Sequence, residues 1–370
     1  MKYLGEDIGK LGFGFMRLPE KDDGSLDYVP MIELVDAFLD EGFTYFDTAY
    51  VYNGSEAALR EALVSRHPRD SFTIATKLPT FMINKAEDMR ETFETSLRRL
   101  GTERIDYYLF HGLSLEQCDK LERLGAWEFA RALKDEGRIG HCGFSFHDTP
   151  ENLDTILTRH PETEFVQLQI NYLDWEDEKV RSRELYETVR RHDKPFVIME
   201  PVKGGLLAGA GSQAEELLRA ANPDVSEASW AVRFAASLDG LVTMLSGMNT
   251  MAQLRDNIAT IKSLKPLSES ELATLREVVK VINSVPRIPC TGCKYCVDNC
   301  PQKLNIPFLM HIYNDFLAYR QKVGSGMPFL EATAGGRFPS TCIGCRSCEE
   351  HCPQHIEISD IMPRIAKEFE

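Results

Sequence analysis

Cys290-Thr291-Gly292-Cys293-Lys294-Tyr295-Cys296-Val297-Asp298-Asn299-Cys300-Pro301 returns nearer the C-terminus as Cys342-Ile343-Gly344-Cys345-Arg346-Ser347-Cys348-Glu349-Glu350-His351-Cys352-Pro353. Both stretches read C-x2-C-x2-C-x3-C-P and together hold eight of the ten cysteines. That run wraps a cubane iron-sulfur cluster, with three thiolates from a tight loop and the fourth given to the other cluster. Two copies predict two 4Fe-4S clusters and single-electron chemistry. The crossing rule gives one cluster Cys290, Cys293, Cys296 and Cys352, and the other Cys342, Cys345, Cys348 and Cys300. Structural zinc fits less well, because it takes two cysteine pairs a dozen or more residues apart. A disulfide framework belongs to small secreted chains. Cys118 and Cys142 stand in apolar surroundings and read as core filler.

The cysteine runs set off a tail from a much longer preceding segment. Before about residue 265, short apolar runs alternate with amphipathic ones, the pattern of β/α units around a parallel sheet. Eight apolar runs are found: Leu11-Met16, Phe43-Thr48, Phe72-Lys77, Ile105-Phe110, Ile139-Phe144, Phe165-Ile170, Phe196-Glu200 and Val242-Gly247. Helical patterns between them include Met31-Asp40, Lys85-Leu100, Glu116-Glu136, Val180-His192 and Met251-Ile261. Eight strands interleaved with helices predict an α/β chain, a closed (β/α)8 TIM barrel over residues 1–265. Residues 266–285, with a charged helix over Ser268 to Ile282, form the connector, and residues 286–370 the cluster domain. Between the cysteine runs, Ile306 to Gln321 reads as a helix and Gly324-Ser325-Gly326 as a loop.

Charge narrows the class of partner. With 42 Lys and Arg against 57 Asp and Glu, the chain carries a formal charge of -15. From Pro286 onward, nine Lys or Arg balance nine Asp or Glu, so the acidic excess lies in the barrel segment. No basic stripe is present to displace counterions from a phosphate backbone, which argues against nucleic acid. Met1 to Gly14 holds no long apolar stretch, and nowhere do eighteen apolar residues run together. These features predict a soluble cytoplasmic protein that does not enter a membrane.

In a barrel, chemistry gathers where strands end. Polar residues stand at six of those ends: Asp47, Lys77, His111, Ser145, Gln169 with Asn171, and Glu200. Three of them lie in recognisable motifs. Phe46-Asp47-Thr48-Ala49-Tyr50-Val51-Tyr52-Asn53-Gly54-Ser55-Glu56 resembles the aldo-keto reductase signature D-T-A-x-x-Y-G-x-S-E, with one residue inserted between tyrosine and glycine. Ile74-Ala75-Thr76-Lys77 and Asp106-Tyr107-Tyr108-Leu109-Phe110-His111 resemble the family's lysine and histidine strands. With the cysteine tail, the chain resembles the aldo-keto reductase branch that carries a C-terminal ferredoxin-like domain.

The resemblance implies a catalytic tetrad of Asp47, Tyr52, Lys77 and His111. Tyr52 would protonate a carbonyl oxygen, Lys77 paired with Asp47 would make that phenol more acidic, and His111 would orient the carbonyl. The residue logic is general, since a phenol needs a neighbouring cation to serve as an acid near neutrality. Tyr50 is the competing choice, and spacing from Asp47 favours Tyr52. For a nicotinamide cofactor, NAD(P)H, the resemblance implies Ser145, Gln169 and Asn257 as holders, and it aligns Glu200, Gly247 and Gln253 with the remaining pocket positions. Phe146 stands where the family has Asn, Glu200 where it stacks a tyrosine, and uncharged Gly247 and Gln253 where it grips a 2'-phosphate. Arg255 is a nearby substitute. Lys203-Gly204-Gly205 is placed to hold an anion at the mouth of the seventh strand.

The reading that follows is an oxidoreductase reducing a small carbonyl-type molecule in the barrel, with clusters exchanging electrons with a redox partner protein. Two others compete: a non-catalytic electron-transfer module using the barrel as a docking scaffold, and clusters that serve as structural staples. A hydride moves two electrons together whereas clusters accept one at a time, and no flavin fingerprint bridges the two.

Overall fold

Alternation along each strand sets which side chains enter the barrel. In the computed structural model, which describes residues 4, 8–21, 25–209, 211–319 and 326–370, eight parallel strands close on themselves in sequence order. They are β1 (Leu11–Gly14), β2 (Tyr45–Asp47), β3 (Thr73–Pro79), β4 (Ile105–Leu113), β5 (Ile139–Phe146), β6 (Phe165–Gln169), β7 (Phe196–Met199) and β8 (Leu241–Ser246). β1 closes the ring by pairing with β8 through Leu11 and Met244, Gly12 and Leu245, and Phe13 and Ser246. Tyr45, Ala75, Tyr107, Leu109, Phe165 and Val197 fill the lumen, with Ile8 packed among them. Their neighbours in sequence, Phe46, Ile74, Tyr108, Phe110 and Val166, join the shell beneath the helices. The two-residue period therefore carries Asp47, Lys77 and His111 onto the lumen side, two positions beyond Tyr45, Ala75 and Leu109.

The helices differ from the sequence expectation in one respect that has a clear cause. Glu116-Glu136 reads as a single helix, whereas the chain forms Leu115–Arg123 and Ala126–Asp135 with Gly125 between them at φ 73. A left-handed residue ends the first helix, and glycine adopts it without a Cβ penalty. Further helices, not named from the sequence pattern, form at Pro150–Arg159, Ser212–Ala221 and Glu227–Ala236. The Gly324-Ser325-Gly326 loop falls outside the described residues except for Gly326, which begins a helix to Ala332. Residues 1–3 and 5–7 of the N-terminal stretch also fall outside them.

The chain divides into two compact units. One comprises residues 1–202 and 225–268, the other residues 203–224 and 269–370. This differs from expected boundaries at 265 and 285. The helix Glu269–Ser284 packs with Ser212–Ala221, burying Leu275, Val278 and Ile282 on one side and Ala214 and Leu218 on the other. The connector and the excursion after β7 therefore belong with the cysteine runs. In that second unit, Asn314 of the helix Ile306–Tyr319 clasps the backbone of Ile288, accepting from its N–H at 2.7 Å and donating to its carbonyl at 2.9 Å. Among the described residues, no helix is long and apolar enough to cross a membrane.

Gly143 shows how tightly the barrel is drawn. A Cβ there would lie 2.3 Å from the carbonyl oxygen of Phe165 on β6, and neither backbone can yield without opening the ladder. Gly143→Ala should lower unfolding free energy by about 3 kcal/mol, the upper range for overpacking. Urea titration showing a loss under half of that would contradict the stated tightness.

Candidate active site

The loop after β2 is built before its chemistry can be. Ser55 Oγ donates to the Phe15 carbonyl at 2.5 Å and meets Thr48 Oγ1 at 2.6 Å, tying the start of the short helix Ser55–Leu59 to the rim of β1. Glu56, almost fully buried, accepts from Thr76 Oγ1 at 2.8 Å and pairs with Arg99 at 3.2 Å. Arg99 also donates to the Tyr50 carbonyl at 3.0 Å and lies 4.3 Å over the Tyr50 ring. Serine and glutamate in the motif thus hold the loop, and Tyr50 is engaged by an arginine on the outer helix Ala86–Leu100.

Tyr52 has different neighbours. Its ring stands 5.2 Å from the Lys77 ammonium and meets the His111 imidazole edge-on, with centroids 5.9 Å apart. Lys77 Nζ donates to Asp47 Oδ1 at 2.7 Å and to the Thr48 carbonyl at 2.7 Å, and both members of the pair are almost wholly buried. Burial pushes the Asp47 carboxyl above its ordinary range against the pull of Lys77. Burial also opposes charge on Lys77, but the Asp47 carboxylate and the Tyr52 phenol outweigh it and hold Lys77 above its usual value. His111 is 6% exposed, and burial, then the nearby Lys77 and His147, hold its pKa well below that of an ordinary histidine. Its imidazole is therefore neutral at pH 7. The four residues converge on a patch that pairs a half-buried phenol with a fixed cation and a neutral imidazole.

The positions aligned with a nicotinamide pocket are more mixed. Ser145 Oγ accepts from Gly112 N at 2.9 Å, which leaves the hydroxyl proton to donate elsewhere. Gln169 and Asn171 both donate to the buried carboxylate of Asp174, at 2.8 and 2.7 Å. Asn257 donates to Ser246 Oγ at 2.9 Å. Gln253 reaches back to cap its own helix, its Oε1 accepting from Asn249 N and Thr250 N at 2.9 and 3.3 Å, and it carries no charge. Gly247 offers no charge and Arg255 is exposed. Glu200 follows β7 in a left-handed conformation, φ 56, and pairs with Arg17 at 2.7 Å. An ion pair thus stands at the position the resemblance aligns with an aromatic platform. Sequence reasoning did not find Arg17, because 183 residues separate it from Glu200, nor Asp174, which lies in a loop three residues beyond Asn171.

In the second unit, the cysteines fall into two groups of four. One cavity is lined by Cys290, Cys293, Cys296 and Cys352, and another by Cys300, Cys342, Cys345 and Cys348. No disulfide joins the described cysteines. Burial pushes the Cys348 thiol up to about 11 and raises Cys296 and Cys352, so those thiolates call for a bound cation. Four converging sulfurs are a donor set that fits a cubane cluster. Cys118 and Cys142 lie outside both groups, and burial pushes each up to about 12.

The chain belongs to the aldo/keto reductase family, whose model matches residues 10–280, and residues 289–357 match a 4Fe-4S dicluster domain. It is an oxidoreductase of that family with a C-terminal dicluster domain. Similar proteins include probable aldo-keto reductase 1 of Glycine max, 29% identical over 56% of this chain and 60% of its own length. Uncharacterized oxidoreductase YqkF of Bacillus subtilis is 25% identical over 74% of this chain and 94% of its own. The match thus spans about three fifths of the soybean protein and nearly all of the bacterial one. Among solved structures, an aldo-keto reductase from Klebsiella pneumoniae in complex with NADPH has TM-score 0.56 and 23% identity, covering 73% of this chain and 90% of that one. The holo form of an aldo-keto reductase from Bacillus halodurans has TM-score 0.59 and 23% identity, covering 74% and 93%. At such identity the likeness is one of fold.

His111 gives a pH test. As pH falls through about 6.5 the unfolded imidazole gains a proton that the folded one refuses, so stability is lost on acidification, by up to about 1.4 kcal/mol per pH unit. Relative to His111→Gln, the parent protein should lose stability more steeply below that pH and run parallel above it. Parallel curves from pH 5 to 8 would contradict the assignment of a neutral buried imidazole.

Proposed function

We propose that the barrel reduces a small carbonyl-type substrate, with Tyr52 donating the proton and the dicluster domain exchanging single electrons with a separate redox protein. The observation that carries this reading is the placing of the Tyr52 ring between Lys77 and His111 while Tyr50 lies under Arg99. Lys77 stabilises phenolate as the proton leaves, and Asp47 keeps Lys77 charged in the apolar lumen. The neutral His111 imidazole offers a hydrogen bond to the same oxygen and fixes the carbonyl. The reduced carbon receives two electrons and a proton, and the oxygen takes the Tyr52 proton, giving an alcohol.

A bound nicotinamide would supply hydride, and Ser145, Gln169 and Asn257 are the residues that would hold it. The 2'-phosphate has no cationic grip at Gly247 or Gln253, so NADPH gains little over NADH. The eight clustered cysteines would hold two 4Fe-4S clusters, which transfer electrons singly.

Tyr52→Phe should reduce turnover about a hundredfold, the scale of one positioned general acid, with little change in substrate binding. Tyr50→Phe should stay within a few-fold of the parent enzyme. The reverse order of effects would move the proton donor to Tyr50. Because no one-electron relay is recognisable between hydride and cluster, NADH or NADPH alone should bleach the anaerobic cluster absorbance slowly, while a low-potential one-electron donor bleaches it at once. Fast bleaching by NADPH in flavin-free protein would overturn the separation of the two electron currencies.

A further inference from the structure

Lys203 is placed by a loop of unusual backbone. Lys203, Gly204 and Gly205 all have positive φ, at 46, 66 and 96. The left-handed region disfavours a residue with a Cβ, and such strain persists where the surroundings enforce it. Lys203 was expected at a strand mouth, holding an anion. It lies instead within the second unit, only 6% exposed, with Nζ donating to Gln354 Oε1 at 3.2 Å. Gln354, itself 4% exposed, lines the cavity of Cys290, Cys293, Cys296 and Cys352. Gly204 beds against the same cavity's wall, where an added Cβ would stand 2.8 Å from the Thr291 carbonyl.

The two cysteine runs are otherwise near copies. Lys294 and Arg346 occupy equivalent places at φ 66 and 63, and Gly292 and Gly344 follow suit at 68 and 67. Each cavity thus has one outer cation of its own, and these balance. The counterpart of buried Thr291 is Ile343, 64% exposed, and the counterpart of Gln354 is the half-buried Gln302. Glu349 stands where the first run has Val297, and the loop of Lys203 adds a buried cation at the first cavity.

We propose that Lys203 tunes the first cluster site, holding the cluster of Cys290, Cys293, Cys296 and Cys352 at a higher reduction potential than its neighbour, so that an electron entering the pair settles there. This rests on the eight cysteines being cluster ligands. A cluster and its four thiolates carry net negative charge, and that charge grows on reduction, so a buried ammonium held at the cavity's Gln354 favours the reduced form. The same ammonium is stabilised by that anionic charge in a place where water cannot solvate it.

The test is an anaerobic potentiometric titration of the full chain with dithionite and ferricyanide, each cluster taking up and returning one electron, read by electron paramagnetic resonance. Cys345→Ser, altering the second site, assigns the two signals. In the parent protein the first site should be reduced before the second. Lys203→Met should move the first site to more negative potential and leave the second unchanged, while Lys203→Arg should restore the parent value. Gly204→Ala, which lifts the loop from Thr291 with the charge intact, should shift the first site in the same direction. If Lys203→Met loses its first cluster, Lys203→Gln carries the comparison. Equal shifts in the Met and Arg variants, or none in either, would overturn the role of Lys203. Protein that binds no iron at all would instead overturn the ligand assignment on which the proposal stands.

Discussion

The ion pair of Lys77 with Asp47 is the constraint around which the barrel's upper lumen is arranged. A charge that is wholly buried needs a partner at hydrogen-bond distance, and removing either partner leaves the other stranded. At 2.7 Å the pair satisfies that need, and the Thr48 carbonyl takes a second proton of the ammonium. Everything nearby follows. Thr48 is fixed by Ser55, Ser55 by Phe15, and Glu56 by Thr76 and Arg99, so one buried charge pair draws three strands and two helices into a single hydrogen-bonded frame. Tyr52 hangs from that frame with its ring beside the ammonium. The same cation that must be neutralised for stability is the one a phenol needs beside it to give up a proton.

How much of this was legible in the sequence depended on the range of the interaction. Strands were readable because β-strand side chains alternate over a few residues, and all eight apolar runs became strands. The lumen-facing set of Asp47, Lys77 and His111 was accessible for the same reason, since each lies two residues beyond a lumen residue of its own strand. The helix break at Gly125 was missed because the amphipathic pattern runs across it, and one glycine in a periodic stretch is an ambiguous stop. Arg17, Asp174 and Arg99 were hidden for a different reason. The partners of Arg17 and Arg99 come from distant parts of the chain, and no pattern within a window of residues reports such a contact, while Asp174 sits within five residues of Gln169 and Asn171 but in a loop with no periodicity to mark it.

The cysteine runs are the opposite case. Metal-binding loops are short and their ligands close in sequence, so spacing alone carries the grouping, including the exchange of fourth cysteines between the two cavities. What spacing could not convey is the surrounding medium. Cys345 is exposed and held below its ordinary value by hydrogen bonds from its own loop, while its counterpart Cys293 is half-buried. Two motifs identical in pattern thus differ in exposure, and Lys203 and Gly204, which precede both runs in the chain, meet the first cavity at Gln354 and Thr291.

The matched left-handed residues of the two runs, Gly292 with Gly344, Lys294 with Arg346 and Lys303 with His355, have a practical meaning. A duplicated loop inside one molecule is a built-in reference: any substitution in one copy leaves its twin in the same solvent, at the same protein concentration and on the same polypeptide. Differences between the copies can then be read without comparing separate preparations. Few proteins offer a control sample that is covalently attached to the experiment.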